Sequence, residues 1–132
     1  MGNNILGGEF AMKIVIVGAS GAVGSAAVEA RASRHELIRI GRTSGVTNRD
    51  PIRGGAGASA ANGALDGFVV GAAVDMPRGI RINAVSPEVL ESCREAYDGF
   101  FPGHVHVSDE AVGLAYSKAV EGCLSGQIII VE

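Results

Sequence analysis

Cysteine is scarce: Cys93 and Cys123 are the only two, and they stand in no metal-ligand spacing. Their reading is that of reduced thiols in a cytoplasmic protein. The longest apolar run falls far short of a membrane span, and no signal peptide is visible, so neither a membrane partner nor export is expected. Basic residues are in the minority, 11 against 14 acidic, for a net charge of −3. No basic face or aromatic-plus-basic pattern accompanies them, which argues against nucleic acid as a partner. Charge is sparse at 19% while hydrophobic residues make up 47%, the balance of a globular chain. With 132 residues there is room for one domain with a real core. No internal repeat is present. Residues 1–11 read as a cloning-derived leader, because Glu9-Phe10 is what a common cloning site encodes and Met12 opens the first strand.

What is present is glycine in a telling place. A β-branched run, Ile14 to Val17, meets Gly18-x-x-Gly21-x-x-Gly24, and an alanine-rich helical pattern follows from Ala22 to about Ser33. This is the order a dinucleotide site needs. Gly18 permits the tight turn, Gly21 lets backbone approach a phosphate, and Gly24 lets helix pack close to strand. The helix N-terminus offers free N–H groups and partial positive charge to a pyrophosphate. The expected contact set is Gly18, Ser20, Gly21, Ala22, Val23 and Gly24. Twenty glycines in the chain make a bare triplet weak evidence, and it is the strand before and helix after that give it weight.

Further along, a strand is expected at about Leu37–Gly41, completing a βαβ unit. Arg42 lies just beyond it, 24 residues after Gly18. An acidic residue there would suit the ribose 2′-hydroxyl of NAD, whereas arginine suits the 2′-phosphate of NADP; the plainer alternative is a solvated side chain. Residues Arg42–Gly57 read as loop. Ala58–Met76 reads as a helix with Ala61, Leu65, Phe68, Val69, Ala72, Ala73 and Met76 on its apolar face and many small residues for close packing. Then come a strand Ile80–Val85, a short helix Glu88–Tyr97, a loop Gly99–Val107, a helix Asp109–Gly122 capped by Ser108, and a strand Gln127–Val131. The order implies an α/β fold with a mostly parallel sheet.

Three segments resemble the short-chain dehydrogenase/reductase family, in order from Met12 onward. Val17–Gly24 is similar to its cofactor turn. Gly79-Ile80-Arg81-Ile82-Asn83-Ala84-Val85-Ser86-Pro87 is similar to the strand leading into its nicotinamide pocket, and Gly126–Val131 to its closing strand. The resemblance implies a Rossmann-like domain over residues 12–132 that moves hydride between NADP(H) and a small carbonyl or alcohol. It also implies that Pro87 and Val89 back the nicotinamide ring, although a simple strand-ending turn is an equal reading.

Two departures qualify this. The family's third, fourth and fifth strands have no counterpart, so the chain reads as an internally deleted member. Thr43-Ser44-Gly45 falls at the junction, with Thr43 read beside Arg42 on the cofactor edge. Ser44 is either the family's carbonyl-polarising serine or a loop serine. The second departure is chemical. The family's Tyr-x-x-x-Lys pair is missing: matching Gly63–Phe68 to the family puts Ala58 at the tyrosine position and Asn62 at the lysine position. Ala58 has no proton to transfer, while Asn62 retains the capacity to bond a ribose hydroxyl. An active enzyme would need Ser44 or water to supply the proton. The other reading is a non-catalytic nucleotide-binding module, or a deleted product without activity.

Loss of three strands leaves two strand pairs with open inner edges. They either close on each other within one chain or are completed by a second copy, and a homodimer is the expectation. His104-x-His106 with Asp109 offers no convincing third metal ligand and reads as a surface loop. The carboxylates read as solvated charges.

Overall fold

The computed structural model describes residues 13–17, 36–40, 46–77 and 79–132. The turn Gly18–Gly24, the helix expected after it, and Arg42, Thr43 and Ser44 lie outside the described residues.

β1 (Lys13–Val17) and β2 (Glu36–Ile40) run parallel, in register from Lys13 opposite Glu36 to Val17 opposite Ile40. Their carboxyl ends therefore share one edge, with Gly18 and Gly41 the next residues in the chain. β3 (Ala84–Pro87) and β4 (Ile128–Val131) form a second parallel pair, from Ala84 opposite Ile128 to Pro87 opposite Val131. Among the described residues these are two separate two-stranded sheets with no ladder between them. Together with the described helices, two of which pack on the second pair, they make a reduced Rossmann-like α/β fold.

β3 begins later and ends later than the apolar run Ile80–Val85 predicts. Arg81 and Asn83 are drawn off by another task. The Arg81 guanidinium donates to the carbonyls of Ala119, Val120 and Leu124, and Asn83 Nδ2 donates to those of Ala119 and Leu124. Asn83 Oδ1 accepts from Gln127 N, and Gly126 N donates to Ile82 O. Pro87 stays in the strand because the ladder to β4 uses alternate N–H groups. Ala84 N donates to Gln127 O and Glu88 N to Val131 O, so the missing N–H of Pro87 falls on the other side.

Helix α1 (Ala56–Asp75) follows a buried 3-10 turn at Val46–Asn48. That turn corrects the expectation of plain loop across 42–57: Val46 and Thr47 are both buried. The inward face of α1 is also rotated from the predicted one. Asn62 and Val69 are buried, while Phe68 is 61% exposed and Ala61 is exposed. A hydrophobicity pattern leaves out the buried asparagine, and with it the true centre of the face.

Helix α2 (Asp109–Glu121) starts where Ser108 Oγ accepts from Ala111 N at 3.1 Å. It packs Val112, fully buried, against Leu90 and Val107, with Val85, Cys93, Tyr116 and Val131 around them. Burial pushes the Tyr116 phenol up to about 12. The short helix expected at Glu88–Tyr97 is instead two 3-10 turns, Glu91–Cys93 and Glu95–Tyr97. Leu90 is held by a parallel bridge to Val107, which forces extended backbone there. α1 meets the turn before β4 at one tight point. Gly126 has φ +71°, and a Cβ there would stand 2.9 Å from the Ala73 methyl carbon.

Candidate functional site

The 3-10 turn after residue 45 is fastened to α1. Ser59 Oγ donates to Thr47 O at 2.5 Å, and Asn62 Nδ2 donates to Thr47 Oγ1 at 2.8 Å. Asn48 Nδ2 donates to Asp66 Oδ2 at 2.6 Å. The turn is closed by Arg49 N and Asp50 N, both donating to Val46 O at 3.0 Å. Arg49 and Asp50 are thereby aimed at the carboxyl end of β3.

On that side, Ser86 is buried and Glu88 follows β3 directly. The Arg49 guanidinium donates to Ser86 Oγ and pairs with Glu88 Oε1 at 3.5 Å. The other carboxylate oxygen of Glu88, Oε2, lies 2.6 Å from His104 Nδ1. His104 Nε2 lies 3.0 Å from Asp50 Oδ2. His104 is brought there by the long loop 89–107. Its base is pinned by Glu91 N to Val107 O and Val107 N to Val89 O, and its tip turns with His104 N donating to Phe101 O. The Phe101 ring stands edge-on to the imidazole, centroids 5.3 Å apart.

The result is a connected chain of polar side chains, Arg49–Glu88–His104–Asp50, that is partly withdrawn from water. The side chains of Glu88 and His104 are only 13% and 12% exposed, whereas Asp50 is 66% exposed. Both imidazole nitrogens face carboxylate oxygens, and both can donate only when the ring carries two protons. An open cleft of about 300 Å³ lies over the cluster, lined by Asp50, Glu88, Pro102, Gly103, His104 and Val105.

Of the residues expected to hold the cofactor or act on a substrate, three fall within the described structure. Asn62 is buried and its amide is engaged with Thr47. Pro87 and Val89 are buried on either side of Glu88. The remaining ones, Gly18, Ser20, Gly21, Ala22, Val23, Gly24, Arg42, Thr43 and Ser44, lie outside it. Sequence reading missed Glu88 and His104 as a pair, because their partners Arg49 and Asp50 come from a distant segment. His106 is no part of the cluster, and Asp109 Oδ1 instead accepts from Ser92 Oγ at 2.8 Å. Among the described residues no group of His, Cys, Asp or Glu is arranged to hold a metal ion, and no helix is long and apolar enough to cross a membrane.

No protein-family model and no curated protein matches this chain. Solved structures do. The crystal structure of the protein lin1944 from Listeria innocua is 28% identical with a TM-score of 0.79, over 92% of this chain and 100% of that one. A MalC reductase/Diels-Alderase from Malbranchea aurantiaca is 19% identical with a TM-score of 0.59, over 91% of this chain and 61% of that one. A variant of actinorhodin polyketide ketoreductase, solved with NADPH, is 19% identical with a TM-score of 0.51, over 72% of this chain and 44% of that one. The chain thus has a fold shared with reductases, in a shorter form than the two named as such.

Proposed function

We propose that this chain is an internally deleted short-chain dehydrogenase/reductase-like protein that binds a nicotinamide dinucleotide, NADP(H) in preference to NAD(H). The observation that carries the reading is the β1–β2 pair. Val17 opposite Ile40 brings the carboxyl ends of the two strands to one edge, and in the sequence Gly18 follows the first strand directly while Arg42 stands two residues past the second. In α/β sheets that edge is where dinucleotides lie, phosphates on the glycine turn and ribose near the second strand. By their types in the sequence, the turn Gly18–Gly24 would hold the pyrophosphate through Ser20, Gly21, Ala22 and Val23, and Arg42 with Thr43 would hold the 2′-phosphate. Pro87 and Val89 would back the nicotinamide. Asn62 would reach a ribose hydroxyl only in competition with its bond to Thr47. The fold shared with two reductases, one of them solved with NADPH, supports the assignment. Against those two the chain is short, which fits loss of the family's middle strands, while the lin1944 chain is covered over its whole length.

When bound, the dinucleotide supplies hydride to a small carbonyl substrate, or accepts it from an alcohol. Ser44 would polarise the carbonyl. Residues 12–132 would form the single domain, working in the cytoplasm as a homodimer. The exposed Val70 and Val74, one turn apart on α1, would supply an apolar face for the second copy. A binding module without chemistry is the second reading, favoured by Ala58 and Asn62 standing where the tyrosine and lysine belong.

A fluorescence titration of NADPH and NADH on the wild type and on Arg42→Ala tests the proposal. Saturable NADPH binding that weakens at least tenfold in the variant is expected. Failure to bind either cofactor would remove both readings.

A further inference from the structure

We infer that His104 is the proton donor that takes the place of the missing tyrosine, oriented through Nδ1 by Glu88 and delivering its proton from Nε2. The inference rests on the nicotinamide reading above.

Position comes first. His104 stands at the carboxyl edge of β3, against Glu88, the residue that follows Pro87 in the chain, and it lines the cleft. A carbonyl in that cleft meets no other described side chain with a transferable proton: its remaining lining is carboxylate, proline, glycine and valine. Orientation comes second. The Nδ1 contact of 2.6 Å is a hydrogen bond to a carboxylate that is itself held by Arg49, on a residue whose backbone N–H donates to Val131 O. The Phe101 edge limits rotation of the ring. This is the logic by which a carboxylate fixes a histidine's tautomer in hydrolytic triads, turned to acid catalysis. Access comes third. Nε2 faces Asp50, the most exposed member of the cluster, so an entering carbonyl can compete for it from the solvent side.

The step balances. Hydride from the reduced nicotinamide dinucleotide bonds to the carbonyl carbon, and the C=O π pair moves to oxygen. That oxygen takes the proton from His104 Nε2. The ketone becomes an alcohol, the dinucleotide is oxidised, and the ring is left neutral with Nδ1–H still on Glu88. Solvent reprotonates Nε2 through the open cleft. The charged groups facing the ring are Glu88 and Asp50, with Arg49 behind Glu88 and Glu132 across the cleft.

The test compares wild type with His104→Asn, Glu88→Gln and, as control, His106→Asn. NADPH affinity is measured first, then NADPH oxidation over a panel of ketones and aldehydes against pH. In His104→Asn we expect kcat to fall about 100-fold, the usual contribution of a positioned general acid, with NADPH affinity unchanged. The decline of the wild-type rate with rising pH is expected to vanish in that variant, and Glu88→Gln to fall between the two. Exogenous imidazole should restore part of the rate to His104→Gly. A readout independent of turnover is ¹⁵N–¹H NMR of the imidazole: adding a ketone with oxidised cofactor should shift Nε2 and leave Nδ1. A His104→Asn enzyme with the wild-type rate, an Nε2 unmoved by ketone, or a wild type that binds NADPH and reduces nothing would each overturn the inference while the nucleotide reading stands. Absence of NADPH binding would overturn both.

Discussion

The two described helices differ in how much of their apolar surface is covered. α2 has thirteen residues, a serine cap and a fully buried valine, and sits on both strands of its sheet. α1 has twenty residues and no side-chain cap, and buries only Asn62 and Val69. Its Val74 is 85% exposed. α2 is a finished element, held by a core on its own side. α1 is anchored through Thr47 near its start, through Asp66 at its middle and at Gly126 near its end, and it shows Phe68, Val70 and Val74 to solvent. Helix length is therefore a poor guide to what a helix contributes, since burial of an apolar stripe supplies most helical stability in proteins.

The sharpest way to strain this contrast is at the α2 core. Leu90→Ala is expected to cost about 2–4 kcal/mol in chemical denaturation, the range for emptying a buried leucine site. Val74→Ala should change stability by less than about 0.5 kcal/mol. Equal effects would erase the distinction. Next in size is the alkaline limb. Tyr116 ionises near 10 in the unfolded chain and near 12 when buried. Stability from this group is whole below pH 10 and drains away as pH rises toward 12, because only the unfolded chain then releases the proton readily. The loss is at most about 2–3 kcal/mol, and Tyr116→Phe should abolish that part of the pH dependence.

A smaller effect probes the α1 anchor. Gly126→Ala puts a methyl both at positive φ and against Ala73, for an expected cost of about 1–2 kcal/mol. Adding Ala73→Gly should return the steric share and leave the backbone share, which a double-mutant cycle resolves. Smallest in stability, but visible in mass, is Val74→Lys. It should leave the unfolding of a single copy unchanged and shift sedimentation from dimer to monomer, if α1 is where copies meet. A dimer that survives Val74→Lys with Val70→Glu would place the interface elsewhere.

Much of this architecture is legible in the sequence because it is local. β-branched runs mark β1, β2 and β4 to within a residue, and Ser108 followed by Asp109 and Glu110 marks the start of α2. The boundaries of β3 are not legible, because Arg81 and Asn83 are claimed by the end of α2 and the connection after it, some 36 to 43 residues away. The site is the least legible part. His104 reads as a loop polar residue until Glu88, 16 positions earlier, and Asp50, far earlier still, close on its two nitrogens. Nor does any periodicity announce a buried asparagine: Asn62 is inside because one hydroxyl, that of Thr47, is there to meet it.

The grip of Arg81 and Asn83 on the last carbonyls of α2 has a consequence for how the molecule breathes. Helix ends ordinarily fray, exposing their amides to solvent exchange long before the whole chain opens. Here the final turn of α2, the connection to β4 and the approach to β3 share one set of hydrogen bonds, so none can loosen alone. Their amides should exchange together, as one cooperative unit, with the terminal turn of α2 as slow as the strand beside it.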